Sequence, residues 1–240
     1  MPPTPTGDGP GGRTGPPPPA QDRAAPPAHR APRPGGGGHG AEQDPLDGLG
    51  APPGWHPLAT SAGTFRLRPV VLPGDLALVA GWMNDPEVAA FWELDGPPAV
   101  TARHLGRQLH DGDGHSVPCL GLLDDTPVSY WEVYRADLDP LARHYPARPH
   151  DTGVHLLVAG AARRGRGLGS LLLRTVTTLI LRHRPACSRV VAEPDLRNRA
   201  SVAAFRRAGF RLAAEVALPD KRAALMIRER PPAHPHDSAP

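Results

Sequence analysis

Arg163-Arg-Gly-Arg-Gly-Leu-Gly169 lies between two segments of different periodicity. Residues 154–159 alternate like a strand, and residues 168–183 have the apolar spacing of an amphipathic helix. A glycine-rich turn from a strand into a helix presents backbone N–H groups, and the partial positive charge of the helix N-terminus adds to them. The stretch therefore predicts a site for a pyrophosphate, with a plain turn of the chain as the alternative.

The two ends of the chain differ in composition from its middle. The first fifty residues contain 13 Pro and 12 Gly, so ordering them would cost backbone entropy with little apolar burial in return. We predict a disordered Pro/Gly-rich tail over residues 1–55, one folded domain over residues 56–230 and a second disordered tail over residues 231–240.

The folded part carries a mild excess of positive charge. The chain has a formal net charge of +3; the first fifty residues and the last ten each carry −1, which leaves +5 for the middle. The basic residues are spread along the chain without an interleaved aromatic stripe. This pattern suits a small polyanionic ligand and argues against nucleic acid as a partner.

Cysteine usage and hydropathy indicate a cytoplasmic protein. Cys119 and Cys187 are the two thiols of the chain, and their spacing suits neither a disulfide framework nor a metal site. We expect neither a signal peptide nor a membrane span, because the longest apolar run is interrupted by Arg174 and several threonines. The histidines show no metal-binding spacing within the folded part, so we expect no metal.

The pattern of elements predicts a mixed α+β fold, with a central sheet flanked by helices. Strands at 153–159 and 189–193, joined by the helix at 168–183, form a βαβ unit with parallel strands. Strands near 210–216 and 223–228 return as a hairpin. The elements predicted before them are a strand at 65–71, a helix capped by Asp75, a weak helix at 101–110 and a hairpin of strands at 116–123 and 128–135.

A second motif follows the glycine-rich turn at a distance of about thirty residues. Asn198-Arg-Ala-Ser-Val-Ala-Ala-Phe-Arg-Arg-Ala-Gly-Phe210 reads as a short helix with Asn198 as its N-cap and Gly209 as its left-handed C-terminal cap. The two motifs in this order and separation resemble the GCN5-related N-acetyltransferase (GNAT) superfamily, whose members bind acyl-coenzyme A. The resemblance covers residues 65–228, nearly the whole folded part.

The resemblance implies a GNAT acyl-CoA N-acyltransferase fold with acyl-CoA, either acetyl-CoA or a longer acyl-CoA, as co-substrate. It also implies that the coenzyme is held by the strand before the turn, by the turn and by the second motif. Phe205 could equally be a core residue. The coenzyme-binding residues implied in this way are Leu157, Val158, Arg163, Arg164, Gly165, Arg166, Gly167, Leu168, Gly169, Ser170, Asn198, Ser201 and Phe205.

Within the superfamily, further stretches resemble the siderophore-biosynthesis N-acyltransferases, both the mycobactin lysine N-acyltransferases and the aerobactin and desferrioxamine hydroxylamine acyltransferases. The resemblance implies acylation of the side-chain amine or hydroxylamine of lysine, N-hydroxylysine or a hydroxylated diamine. Aminoglycoside 6′-N-acetyltransferases share much of the pattern and are one alternative, and a non-catalytic acyl-CoA-binding module is another. The stretches that carry the resemblance are 82–92, 130–134, 151–155, 193–198 and 220–226.

His155 interrupts the apolar strand that precedes the glycine-rich turn. Alternation puts Val154 and Leu156 on one face of the strand and His155 on the other, where a substrate nitrogen would approach, although a core histidine is the bland alternative. The resemblance implies that His155 and Asp195 are the catalytic pair. A lysine-like amine, with a pKa near 10.4, is only about one part in 2,500 neutral at pH 7 and needs a base, whereas a hydroxylamine is already neutral.

The resemblance further implies a pocket for a small-molecule amine or hydroxylamine. Its lining would combine aromatic walls, acidic groups and one lysine near the end of the cleft. The alternatives are aromatic packing in the sheet, solvated turn charges and an exposed turn lysine. The implied residues are Trp92, Trp131, Glu132, Tyr134, Asp151 and Lys221. Weak self-association of the chain is left open.

Overall fold

A computed structural model describes residues 55–111 and 115–232. Within these residues eight strands form one sheet: β1 Leu58–Thr60, β2 Gly63–Pro69, β3 Ser116–Leu123, β4 Thr126–Arg135, β5 Thr152–Val158, β6 Arg189–Ala192, β7 Arg211–Ala217 and β8 Arg222–Glu229. Their order across the sheet is β1-β2-β3-β4-β5-β6-β8-β7. The predicted tails over 1–55 and 231–240 lie outside the described residues, apart from Trp55 and residues 231–232, so the division into tails and domain stays a prediction.

Helices cover both faces of the sheet. They are α1 Leu76–Met83, α2 Pro86–Trp92, α3 Pro98–Gly106, α4 Leu168–His183 and α5 Arg199–Arg207, with a π-helical turn at Arg107–Asp111 and 3₁₀ turns at Pro140–His144 and Ala161–Arg163. The first three helices pack on one face, and α4 and α5 pack on the other. The predicted α+β fold with a mixed sheet flanked by helices is confirmed.

Helix α2 was not predicted, because Asn84-Asp85-Pro86 has the composition of a helix stop. The structure uses the same residues to begin a new helix. Asp85 is the N-cap in extended backbone and accepts a hydrogen bond from the Glu87 N–H at 3.0 Å. Pro86 occupies the first helical position, where a missing N–H costs nothing. This helix carries Trp92 at its C-terminal end.

Asp75 does not cap α1 with its side chain, contrary to the sequence prediction. Its carboxylate forms a two-pronged ion pair with Arg68, at 2.8 and 2.9 Å, and accepts the Val71 N–H. A bidentate arginine is a stronger partner than a backbone amide, which explains why the side chain turns away from the helix.

The alternation in β5 sends its side chains to two different cores, as predicted. Val154, Leu156 and Val158 pack with α4 and α5, whereas Leu157 packs beneath α1–α3. His155 lies on the same face as Leu157. This places the histidine in the layer between the sheet and the N-terminal helices.

Strands β5 and β6 are parallel, as predicted, but they separate early. They pair only at Thr152 and Gly153 of β5, although β5 continues to Val158. Residues 154–158 of β5 have no ladder partner in β6, and we refer to this unpaired edge of β5 as the gap. The gap opens at the end of β5 from which the chain enters the glycine-rich turn and α4.

Candidate active site

Residues 163–170, which we refer to as the coenzyme loop, carry two glycines in left-handed backbone. Gly165 has φ 71° and Gly167, the N-cap residue of α4, has φ 81°. A Cβ added at either glycine would meet no atom within 4 Å. The first-turn N–H groups of α4 have no intrahelical acceptor and face this region. The loop therefore combines backbone donors, a helix N-terminus and open space, which is the chemistry that a pyrophosphate requires.

Replacing Gly167 with alanine should weaken coenzyme A binding. A left-handed φ costs an L-residue about 1–2 kcal/mol, so the loop would leave its donor geometry and the dissociation constant should rise about 5–30-fold. Isothermal titration calorimetry with coenzyme A measures this. Gly81→Ala, inside α1 and with no atom within 4 Å of the added Cβ, is the matched control. An unchanged affinity in Gly167→Ala would contradict the assignment of the loop.

The three arginines of the loop differ in their surroundings. Arg163 and Arg166 are exposed, and they stay predicted coenzyme ligands. The guanidinium of Arg164 instead points to helix α2, with Nη2 2.6 Å from Asp85 Oδ2 and Nη1 2.8 Å from Glu87 Oε2. Its side chain is therefore held by protein carboxylates in this structure.

The two predicted coenzyme residues of β5 present their backbones in opposite directions. The Ala159 N–H donates to the Val128 carbonyl on the β4 side at 2.9 Å. Antiparallel alternation then directs the backbone of Leu157 to β4 and that of Val158 to the gap. The Val158 N–H is therefore directed toward the gap, whereas the backbone groups of Leu157 are directed to β4; both residues stay predicted coenzyme ligands.

The second motif forms α5 with the predicted caps. Asn198 Oδ1 accepts the Ser201 N–H at 3.0 Å, and Gly209 has φ 89°. Phe205 is 3% exposed and packs edge-on against Phe210 in the core, with ring centroids 5.0 Å apart. The structure therefore favours the core alternative for Phe205, whose side chain belongs to the core cluster beneath α4 and α5.

His155 lies between two glutamates. Its Nδ1 is 2.8 Å from Glu132 Oε2, and its Nε2 is 2.5 Å from Glu193 Oε1. Glu132 stands directly opposite His155 in the β4–β5 register. Glu193 follows β6 and lies two residues beyond Val191, on the same face of the sheet. We refer to these three residues as the Glu–His–Glu cluster.

The two carboxylates keep His155 charged. Burial disfavours the imidazolium, but Glu193 and Glu132 outweigh burial and raise the pKa of His155 to about 10. Burial also acts to raise the pKa of both carboxyls, yet His104 and His155 hold the pKa of Glu132 well below its usual range, and His155 lowers that of Glu193 to about 2. At neutral pH the cluster is an imidazolium that donates both ring N–H groups to carboxylates.

A second layer of donors surrounds Glu132. Its Oε1 lies 2.6 Å from His104 Nε2, 2.7 Å from Gln108 Nε2 and 2.9 Å from the Tyr130 hydroxyl. A buried carboxylate is tolerated only when its desolvation is offset by such partners. His104 and Gln108 come from α3 and the π-helical turn, so the N-terminal helices help to hold the charge of the cluster.

Glu193 is oriented by Tyr134 and Lys221. The Tyr134 hydroxyl donates to Glu193 Oε2 at 2.7 Å, and Lys221 Nζ lies 3.6 Å from Oε1. Tyr134 can reach this position because it lies over Gly153, where a Cβ would be only 2.1 Å from its ring. Glu193 was missed as a site residue; its position at the carboxyl end of a parallel strand beside His155 was the available signal.

Aromatic rings form the walls around His155. The Tyr134 ring centroid lies 5.0 Å from the imidazole, and the Trp92 ring stands edge-on to it at 6.1 Å. The His155 side chain is 34% exposed, so a substrate can reach it. Four of the predicted acceptor residues thus gather at the cluster, namely Trp92, Glu132, Tyr134 and Lys221.

Trp131 and Asp151, two of the predicted pocket residues, lie inside the fold and not at the Glu–His–Glu cluster. Trp131 is 0% exposed, donates its indole N–H to Ser129 Oγ at 2.9 Å and packs in the core beneath α4, on the opposite face from Glu132. Asp151 is also 0% exposed, because its carboxylate pairs with Arg189 at 2.8 Å inside the fold. Neither side chain can contact an acceptor.

Asp195 is separate from the hydrogen bonds of His155. Its carboxylate accepts the backbone N–H of Arg197 and the guanidinium of the same residue, both at 2.7 Å. Both ring nitrogens of His155 are used by glutamates. The predicted His155–Asp195 pair is therefore not a hydrogen-bonded pair, and a catalytic role for Asp195 stays untested.

Two further properties concern the described residues alone. In residues 55–111 and 115–232, no group of three or more His, Cys, Asp and Glu side chains is arranged so that it could hold a metal ion. Over the same two ranges, every helix is too short or too polar to cross a bilayer.

The split between β5 and β6, the coenzyme loop and the capped α5 define an acyltransferase of the GNAT fold. The chain belongs to the acetyltransferase (GNAT) domain family, whose model matches residues 72–218. GNAT-fold enzymes use acyl-CoA as their acyl donor. The chain is thus an acyltransferase rather than a non-catalytic binding module.

Two relatives are similar over most of the folded part. The lysine N-acyltransferase MbtK of Mycolicibacterium paratuberculosis is 37% identical over 167 residues, 70% of this chain and 74% of that protein. The N(6)-hydroxylysine O-acetyltransferase of Escherichia coli is 39% identical over 167 residues, 70% of this chain and 52% of that protein.

Solved structures agree with the fold. An uncharacterized protein from Bacillus halodurans superposes with a TM-score of 0.68 at 32% identity, covering 72% of this chain and 89% of that one. The aminoglycoside acetyltransferase AAC(6')-Ib in complex with coenzyme A superposes with a TM-score of 0.61 at 24% identity, covering 69% of this chain and 95% of that one. The second likeness concerns the fold alone.

Proposed function

We propose that this chain transfers an acyl group from acyl-CoA to a side-chain amine or hydroxylamine of lysine, N-hydroxylysine or a hydroxylated diamine, in the assembly of hydroxamate siderophores. The observation that supports this most is the Glu–His–Glu cluster, which joins β4, β5 and the end of β6 on one face of the sheet. The names of the two relatives, which act on lysine and N6-hydroxylysine, support the same class of acceptor.

The donor side follows from the geometry of the loop. The N–H groups of the coenzyme loop would hold the pyrophosphate, with Arg163 and Arg166 near the phosphates. The pantetheine arm would enter the gap between β5 and β6, where the backbone of Val158 can pair with it. We expect this route to bring the thioester to the face of the sheet that carries His155.

The charge state of the cluster favours a neutral acceptor nitrogen. Both ring nitrogens of His155 carry protons that are donated to carboxylates, so the resting imidazole cannot take a proton from an ammonium group. A lysine-like amine must first lose a proton, which costs about 4.6 kcal/mol at pH 7. A hydroxylamine enters in its reactive form.

Acyl transfer then needs orientation and one proton transfer. The acceptor nitrogen attacks the thioester carbonyl carbon and a C–N bond forms. The nitrogen gives its proton to a carboxylate of the cluster, which His155 keeps in place. The C–S bond breaks, and the departing coenzyme A sulfur receives the proton and leaves as a thiol.

Thiol release with matched acceptors tests the proposal. Purified protein with acetyl-CoA should release free thiol with N6-hydroxylysine or N-hydroxycadaverine at least about tenfold faster than with lysine or cadaverine at pH 7, because so little of each amine is neutral. An aminoglycoside serves as a further acceptor. Thiol release with the aminoglycoside alone would reject the siderophore assignment and support the alternative.

The pH dependence should differ between the two acceptors. For lysine, kcat/KM should rise about tenfold per pH unit between pH 7 and 9, because the amine titrates near 10.4. For the hydroxylamine, kcat/KM should change little over the same range, since His155 stays protonated below its pKa of about 10. A steep rise with the hydroxylamine would mean that His155 must first lose its proton.

A further inference from the structure

Arg164 connects the coenzyme loop to a helix that carries part of the acceptor pocket. Its Nη2 donates to Asp85 Oδ2 at 2.6 Å and its Nη1 to Glu87 Oε2 at 2.8 Å. Its Nε also donates to the Val158 carbonyl at the end of β5, at 3.3 Å. One guanidinium thus joins three parts of the molecule, namely β5, the coenzyme loop and the N-terminus of α2.

Helix α2 needs such an anchor because it has little packing of its own. It has seven residues, of which only Val88 is buried. Isolated helices of this length are unstable in water, so contacts at its two ends must hold it. Asp85, the N-cap, makes the contact to Arg164 at one end. Trp92 makes the contact at the other, about 10 Å away at 1.5 Å per residue.

Trp92 contacts two residues of the candidate active site. Its ring packs edge-on against Tyr130, with centroids 5.4 Å apart, and against His155, at 6.1 Å. Tyr130 in turn donates to Glu132. A shift of α2 would therefore move one wall of the acceptor pocket and a neighbour of the Glu–His–Glu cluster.

We infer that Arg164 is a positioning residue for the acceptor, holding α2 and Trp92 in place from within the coenzyme loop rather than binding the coenzyme. The expected effect on acceptor kinetics rests on the proposed function. The inference differs from the sequence expectation, in which Arg164 binds the coenzyme.

Kinetics separate the two roles. In Arg164→Gln the KM for the hydroxylamine should rise or kcat fall, with kcat/KM lowered about tenfold or more, while the KM for acetyl-CoA changes less than about twofold, because misplacing a pocket wall impairs acceptor alignment. Arg166→Gln, in the same loop but exposed, should show the opposite split. A rise confined to the acetyl-CoA KM of Arg164→Gln would overturn the inference.

A double-mutant cycle tests the contact itself. Asp85→Asn should reproduce the acceptor defect, and the double variant Asp85→Asn/Arg164→Gln should be no worse than the poorer single variant, since both remove one interaction. Additive effects would show that the two residues act separately.

Hydrogen exchange tests the anchor without turnover. The peptide that covers Asp85 and α2 should exchange faster in Arg164→Gln than in wild type, while the β4 and β5 peptides stay protected. If wild type released no thiol with any acceptor, the proposed function would fail, and this measurement would still decide the structural role. Unchanged exchange in α2 would refute it.

Discussion

Replacing His155 with alanine is expected to lower kcat/KM by about 10²–10⁴-fold, the contribution of a positioned proton acceptor, because the carboxylate that takes the proton loses the imidazolium that keeps it in place. The variant leaves the carboxylates of Glu132 and Glu193 facing one another without the imidazolium between them. Like charges so close repel, so the pocket should lose its geometry as well as its proton path. Steady-state thiol release measures the loss, and coenzyme A affinity confirms that the donor site is intact.

Two companion variants show which carboxylate works with His155. Glu193→Gln keeps a hydrogen-bonding side chain but removes the charge beside Nε2, and we expect a loss of about tenfold or more. Asp195 pairs with Arg197, so Asp195→Asn should lower kcat/KM less than Glu193→Gln does. A larger loss in Asp195→Asn, or turnover of His155→Ala within threefold of wild type, would contradict this assignment.

The contribution of the Glu–His–Glu cluster to the stability of the protein should depend on pH. Because the pKa of His155 is raised from 6.5 to about 10, its contribution is complete below about pH 6.5 and fades as the pH rises through 10. Because the pKa of Glu193 is lowered from 4.5 to about 2, its contribution is complete above about pH 4.5 and fades on acidification. The Tm difference between wild type and His155→Ala should therefore be largest between about pH 4.5 and 6.5.

Asp151→Asn is expected to cost about 3–5 kcal/mol of unfolding free energy, because it leaves the buried guanidinium of Arg189 without its charged partner. The two side chains are 0% and 4% exposed and share two hydrogen bonds of 2.8 Å. The Tyr145 hydroxyl donates to the same carboxylate at 2.9 Å. Urea unfolding measures the change.

The matched control for Asp151 is an exposed ion pair. Asp125, 82% exposed and paired with Arg66, should change stability by less than about 1 kcal/mol when replaced by asparagine. Folded Asp151→Asn should keep the acceptor KM of wild type. A raised acceptor KM with unchanged stability would return Asp151 to the pocket and contradict the structure.

Local sequence was sufficient to predict the conformation of the segments that we expect to bind the coenzyme. The coenzyme loop, α4 and the capped α5 are contiguous segments whose conformation depends on glycine, a capping side chain and helical periodicity. All of these act within a few residues. For that reason Gly165, Gly167, Asn198 and Gly209 adopt the conformations that their types predict.

Alternation along a strand held information that the pocket prediction did not use. In Tyr130-Trp-Glu-Val-Tyr134 the two tyrosines share a face with Glu132, and Trp131 must point to the other face. The sequence thus excluded a pocket that contains both Trp131 and Glu132. No local pattern indicated that Asp151 is buried or that helix α2 exists. The buried ion pair of Asp151 and the helix that begins at Asp85 both depend on partners distant in the sequence.

The sequence by itself determined the fold class, the family and the backbone conformation of the predicted coenzyme loop, because those depend on short segments and their order. Only the tertiary structure decided the partners of His155. Its partners Glu132 and Glu193 come from two separate parts of the chain, and His104, which bonds to Glu132, comes from a third. A one-residue change in register would send Glu132 to the opposite face. The charge on His155 follows from that assembly, since its pKa depends on which carboxylates the sheet brings within hydrogen-bond distance.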